Sequence, residues 1–100
     1  MWIDVLGEDE LVNGQWKEID CSGLSLLLIR YNNGFYAIEN LCTHDGGPLS
    51  DGELEADEII CPRHGARFCI KTGAVSAPPA YEDVMSFTAK VEGGRVLLDI

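Results

Sequence analysis

Two short stretches hold the residues of this 100-residue chain that could do chemistry: CTHDGGPL at Cys42–Leu49 and CPRHGARF at Cys61–Phe68. Each joins one cysteine to one histidine, as Cys42-x-His44 and Cys61-x-x-His64, with a glycine close behind. The chain has no other histidine. A thiolate is a soft ligand suited to zinc and to iron–sulfur clusters, and an imidazole suits zinc and iron. Four such donors would complete one tetrahedral zinc. They would equally hold a two-iron, two-sulfide cluster, with thiolates on one iron and imidazoles on the other.

The spacing favours the second arrangement. A zinc knuckle usually pairs two cysteines a few residues apart and two histidines likewise. Here each loop supplies one of each, and Cys-x-His is tight for a knuckle. A nucleophilic Cys–His pair would need one activated thiol and a pocket, not a duplicated set. Gly46, Gly47 and Gly65 permit positive φ and close approach of the backbone to a bound group, so that N–H groups can face bridging sulfides. Pro48 and Pro62 stiffen the same loops.

The elements that must position these loops read as short strands. Trp2–Leu6 and Gln15–Ile19 lie around the acidic turn GEDELVNG. Leu24–Tyr31 and Phe35–Ile38 are joined through Asn32-Asn33-Gly34, where Asn-Gly supplies the positive φ of a tight hairpin. Glu58–Ile60 and Arg67–Ile70 form a further short pair before a turn at Thr72-Gly73, and Ser86–Val91 and Arg95–Ile100 flank Glu92-Gly93-Gly94. No window sustains helical periodicity. The expectation is an all-β fold, a small antiparallel β-sandwich or barrel with a two-loop cluster-binding subdomain, and one domain over residues 1–100.

Charge narrows the partners. Seventeen acidic residues against seven basic ones leave a net charge of −10, which excludes the basic face that nucleic acid or an anionic membrane requires. The N-terminal MWIDVLGEDE lacks the features of a signal peptide. The longest apolar run, Leu24–Ile29, suits a buried strand rather than a membrane span. The chain is expected to be cytoplasmic, where four cysteines point to metal or cofactor binding more than to disulfides.

Taken together, CTHDGGPL and CPRHGARF closely resemble the loops of the Rieske iron–sulfur domain, and more specifically those of the small Rieske-type ferredoxins that serve bacterial ring-hydroxylating oxygenases. The resemblance extends over nearly the whole chain. It includes Ala77-Pro78-Pro79, which is similar to the family's proline loop beside the cluster. It implies one 2Fe–2S cluster, with Cys42 and Cys61 on the inner iron and His44 and His64 on the outer one. It implies a monomeric one-electron carrier rather than an enzyme, reduced by a flavin-dependent ferredoxin reductase that oxidises NADH or NADPH. The acceptor would be the terminal oxygenase of an aromatic-ring dioxygenase or related system. Two other readings stay open: a Rieske carrier for another pathway, such as iron–sulfur assembly or biosynthesis, and a structural zinc-binding interaction domain.

Respiratory Rieske proteins resemble the chain but add features it lacks. They carry a disulfide-bonded cysteine in each loop, at positions matching Gly47 and Arg63. They aim a serine and a tyrosine hydroxyl at the sulfurs, at positions matching Ala66 and Phe68. Two thiolates instead of four leave the oxidised site neutral rather than dianionic. An electron is then added more easily, at about −150 mV or above against about −400 mV for all-cysteine plant-type clusters. Without the hydroxyls and the disulfide, the expected midpoint is at the low end, about −150 mV. Cys21 and Cys69 read as inert packing residues, Trp2 and Trp16 as core, and Glu53, Glu55, Asp57 and Glu58 as a solvated hairpin face. Arg63, Arg67 and Lys71 suggest a positive rim beside the cluster, to be weighed against ordinary solvated surface.

Overall fold

Short apolar runs separated by turn residues give extended backbone almost throughout the chain, and a computed structural model describes all of residues 1–100. The strands are β1 (Trp2–Gly7), β2 (Trp16–Cys21), β3 (Leu24–Tyr31), β4 (Gly34–Glu39), β5 (Glu53–Glu55), β6 (Glu58–Ile60), β7 (Arg67–Cys69), β8 (Val75–Ala77), β9 (Ser86–Phe87), β10 (Ala89–Glu92) and β11 (Arg95–Asp99). One 3-10 turn, Glu8–Glu10, follows β1. All pairings are antiparallel. They build three sheets, ordered β1-β11-β10, β2-β3-β4-β9 and β5-β6-β7-β8. The all-β expectation holds.

The run at Leu26–Ile29 is apolar without alternation because the middle sheet is covered on both faces. Leu27 and Ile29 enter one core with Ile38, Leu49, Ile59, Phe68 and Ile70, next to the loops of interest. Leu26 and Leu28 enter a second core with Leu6, Phe35, Ala37, Val96 and Leu98, against the sheet that carries β1. All four β3 residues are fully buried.

Several boundaries differ from expectation for local reasons. Between β3 and β4 the two-residue turn is Asn32-Asn33, with φ of 51° and 65°, while Gly34 already pairs with Tyr31. Both asparagines take the left-handed conformation of a type I′ turn. The strand expected over Ser86–Val91 divides at Thr88. Its first half pairs with β4 and its second with β11, so that Phe87 and Ala89 close over the second core from two sheets. β1 and β2 do not pair with each other; β1 lies against β11. The segment between them is fixed instead by Arg30, whose Nη1 donates to the carbonyls of Glu8 and Leu11 at 2.9 and 2.8 Å. Trp2 is 42% exposed, with Lys90 Nζ 4.0 Å from its ring centre, so it caps the surface rather than filling the core.

The sheet β5–β8 carries the site. Two side chains, Trp16 of β2 and Asn40 just after β4, anchor the segment that follows the first loop. Asn40 Oδ1 accepts hydrogen bonds from the backbone N–H of Leu49 and Ser50 at 2.7 and 3.0 Å. Trp16 Nε1 donates to the Ser50 carbonyl at 2.9 Å.

Candidate metal centre

The two cysteine–histidine loops fold alike. In residues 42–47 the Cys42 N–H donates to the Gly47 carbonyl and the Gly46 N–H to the Cys42 carbonyl, both at 2.8 Å. In residues 61–66 the Cys61 N–H donates to the Ala66 carbonyl at 2.8 Å and the Gly65 N–H to the Cys61 carbonyl at 3.0 Å. The fifth residue of each loop turns left-handed, Gly46 at φ 75° and Gly65 at φ 80°, a conformation that side chains resist. The histidines occupy different places on this shared frame: His44 is third in its loop and His64 fourth.

The structure brings the two loops together with their ligand candidates in two tiers. Both cysteines are buried, at 0% and 1% exposure, in the same apolar core as Ala66 and Phe68. Both histidines are exposed, and their rings meet edge to face with centres 5.3 Å apart. The ligand atoms of Cys42, Cys61 and Asp45 lie within 4.8 Å of one another, and neither histidine brings a ring nitrogen into that group. A tetrahedral zinc would hold all four donors about 2.0–2.3 Å from a single point. Buried thiols beneath separate imidazoles suit a two-metal group with different ligands at each metal.

The backbone is oriented for bound sulfur. Burial pushes the Cys42 thiol above its ordinary value of 9.0, while the N–H groups of His44 and Asp45, directed at its sulfur, pull the other way. Donors fixed on the sulfur favour the thiolate that metal binding requires. The residues therefore fit a 2Fe–2S cluster in donor chemistry, tiering and hydrogen bonding.

Asp45 was not among the residues singled out in the sequence, although its carboxylate reaches the thiol group. Its oxygens are already engaged. Arg63 Nε and Nη2 donate to them at 2.5 and 3.2 Å, and the Gly47 N–H donates at 2.9 Å. The Arg63 guanidinium and the Gly47 N–H hold this carboxyl down at about 2. The same contact changes the view of the rim. Arg63 is paired with Asp45, Arg67 reaches Glu55 and Glu58 at 3.2 and 3.3 Å, and Lys71 lies over the rings of Tyr31 and Tyr36. Both arginines are thus neutralised within the chain. Glu53 and Glu55 are exposed as expected, while Glu58 is drawn in by Arg67 and accepts a hydrogen bond from Ser76.

The remaining positions fall as the sequence suggested. Positions 47 and 63 face each other. Ala66 and Phe68 are fully buried and bring no hydroxyl to the thiols. Cys21 is in the second core, and Cys69 is half-buried in β7, outside both loops.

A family profile described as the Rieske [2Fe-2S] domain matches residues 1–88. The ferredoxin component of a naphthalene 1,2-dioxygenase system from Pseudomonas aeruginosa is 36% identical over 99 residues, covering 99% of this chain and 95% of that protein. The ferredoxin of carbazole 1,9a-dioxygenase from Nocardioides aromaticivorans IC177 superposes with a TM-score of 0.92 at 33% identity, covering 98% of this chain and 96% of its own. A chain in a solved complex of reduced oxygenase and oxidized ferredoxin in carbazole 1,9a-dioxygenase superposes with a TM-score of 0.91 at 32% identity, covering 97% and 91%. With that profile matching residues 1–88 and these relatives spanning nearly its whole length, the chain belongs to the Rieske [2Fe-2S] family, as one of its ferredoxins.

Proposed function

We propose that the chain is a one-electron carrier holding a single 2Fe–2S cluster, with Cys42 and Cys61 on the inner iron and His44 and His64 on the outer one. The observation that carries this reading is the tiering: two buried thiols beneath two exposed, touching imidazoles. When bound, the cluster supplies a one-electron couple. The protein does the rest. Ala66 and Phe68 exclude water from the thiols, the His44 and Asp45 N–H groups steady sulfur charge, and the two imidazoles give the centre an edge at the surface.

The partners follow from the relatives, which are ferredoxin components of dioxygenase systems, one of them solved against its oxygenase. The donor is proposed to be an NAD(P)H-dependent flavin reductase and the acceptor the terminal oxygenase of an aromatic-ring dioxygenase system. No nucleic acid or membrane partner is proposed. No helix is long and apolar enough to cross a membrane. A monomer in the cytoplasm suits the acidic surface and the four free cysteines. Because β3 contributes to both cores, residues 1–100 are read as one domain.

The test is anaerobic purification with iron, zinc and acid-labile sulfide analysis, followed by stopped-flow oxidation by a terminal oxygenase. Iron and sulfide in the ratio of one 2Fe–2S cluster per chain, and oxidation on mixing, are expected. Zinc without sulfide would overturn the assignment.

A further inference from the structure

We propose that Asp45, Gly47 and Arg63 form a clasp that closes the two cluster loops on each other, with Asp45 and Arg63 as positioning residues whose charges also bias the centre. This rests on the cluster assignment above but goes beyond it. Each loop satisfies its backbone internally, through the Cys42–Gly47 and Cys61–Ala66 bonds. Apart from contact between the two thiols, the hydrogen bonds that run from one loop to the other are those of Arg63 to Asp45. A group bridging Cys42 and Cys61 depends on the loops staying together, so whatever joins them controls its retention.

The clasp is shaped as well as charged. The guanidinium uses two nitrogens on the two carboxylate oxygens, a fork geometry stronger than a single contact. The carboxylate is in turn oriented by the Gly47 N–H. The guanidinium lies flat against Gly47: a Cβ there would sit 2.7 Å from Arg63 Cζ, 2.8 Å from Nη2 and 2.9 Å from Nε. A side chain at position 47 would push the guanidinium aside from this place. Both residues lie at the surface, with 32% and 22% of their side-chain area exposed, so the link is open to screening by salt. The Asp45 carboxylate lies within 4.8 Å of both thiols and Arg63 is bound to it, so both charges sit close enough to act on the centre.

Two effects of opposite symmetry follow. Asp45→Asn and Arg63→Gln should each release the loops, and cluster loss to a chelator, followed by visible absorbance, should accelerate on the order of fivefold at low salt. Their effects on the midpoint should have opposite signs. Removing the carboxylate raises it, and removing the guanidinium lowers it. The double variant should lose its cluster no faster than the worse single one, since both remove the same link. Its midpoint should return toward wild type. Gly47→Ala keeps both charges but displaces the guanidinium, so it should accelerate loss with a smaller shift in midpoint. In wild type the loss rate should climb with salt toward that of the variants, whose own rates stay flat.

Wild-type protein without iron and sulfide would overturn the cluster assignment itself. Wild type with its cluster, and variants that lose theirs at the wild-type rate, would overturn the clasp alone. Midpoints that move in the same direction in both single variants would also overturn it, because general loosening has no sign. If either charge variant does not fold, Gly47→Ala and the wild-type salt dependence decide: unchanged loss in both overturns the proposal.

Discussion

The His44 and His64 rings meet at right angles, centres 5.3 Å apart, on the exposed side of two buried thiols. Imidazole is neutral where thiolate is negative, so in the proposed cluster this outer tier would set the charge of the centre. Replacing His44 or His64 by cysteine, with the cluster still assembled, should lower the midpoint by on the order of 100 mV, toward the all-cysteine range. Voltammetry on iron- and sulfide-replete variants checks this, and an upward shift would contradict the charge argument.

Ala66 and Phe68 are fully buried in the same apolar core as the two thiols and bring no polar side-chain atom to it. Ala66→Ser and Phe68→Tyr would each place a hydroxyl where no water reaches. A hydroxyl that finds sulfur stabilises added negative charge and raises the midpoint. One that finds no partner costs about 1–3 kcal/mol of stability. Midpoint and melting temperature measured together separate the two. We expect a higher midpoint with melting nearly unchanged, and a wild-type midpoint near the low end of the Rieske range, about −150 mV.

Cys21 and Cys69 lie outside both loops, the first in the second core and the second in β7. A Cys21→Ser, Cys69→Ser double variant should keep full iron content and an unchanged visible spectrum. It should melt earlier, because the hydroxyl at position 21 replaces a buried thiol. Loss of iron from a folded double variant would place one of them among the ligands.

Asp4 ties β1 to β11. Arg95 Nη2 reaches its Oδ1 at 2.8 Å, and Nε reaches both oxygens at 3.1 Å. The Arg95 guanidinium holds this carboxyl below its ordinary 3.8. A lowered folded value means that the pair stabilises the fold above the unfolded carboxyl's pKa and stops doing so as pH falls through the folded one. The pair is exposed, so the effect is small and screened by salt. Carboxyl NMR titration should find Asp4 below the usual range in wild type and near it in Arg95→Gln. An unmoved titration in the variant would remove Arg95 as the cause.

The four proposed ligands were legible because their chemistry is local: each cysteine and histidine sits within three residues of its partner. The long strands were legible for the same reason. The strands β5 and β8 were not, because Glu53-Leu54-Glu55 and Val75-Ser76-Ala77 carry no large apolar cluster like Ile59-Ile60 of β6 or Phe68 of β7 to mark three residues as a strand. Thr88 gives no sign that its strand changes sheets, since that depends on where β4 and β11 already lie. The pairing of Arg63 with Asp45 joins residues 18 apart, and a charge census shows only that both exist. The same holds for Arg67 and its glutamates. A positive rim was a fair inference from composition, and the fold neutralises most of it.

The middle strand β3 has a consequence for how this sequence can change over generations. Leu27 and Ile29 serve the core beneath the loops, and Leu26 and Leu28 serve the other. Inserting or deleting one residue in β3 would exchange the two sets and misplace both cores at once, because side chains alternate with a period of two. The Asn32-Asn33 turn at its end points no residue into either core and is held only by two hydrogen bonds between Asn33 and Asn13, so a change in its length disturbs neither core. Drift in length is therefore confined to the connections, while β3 is held to a fixed reading of odd and even positions. An odd substitution there is felt in the core beneath the cysteine loops, and an even one in the core on the other face of the sheet.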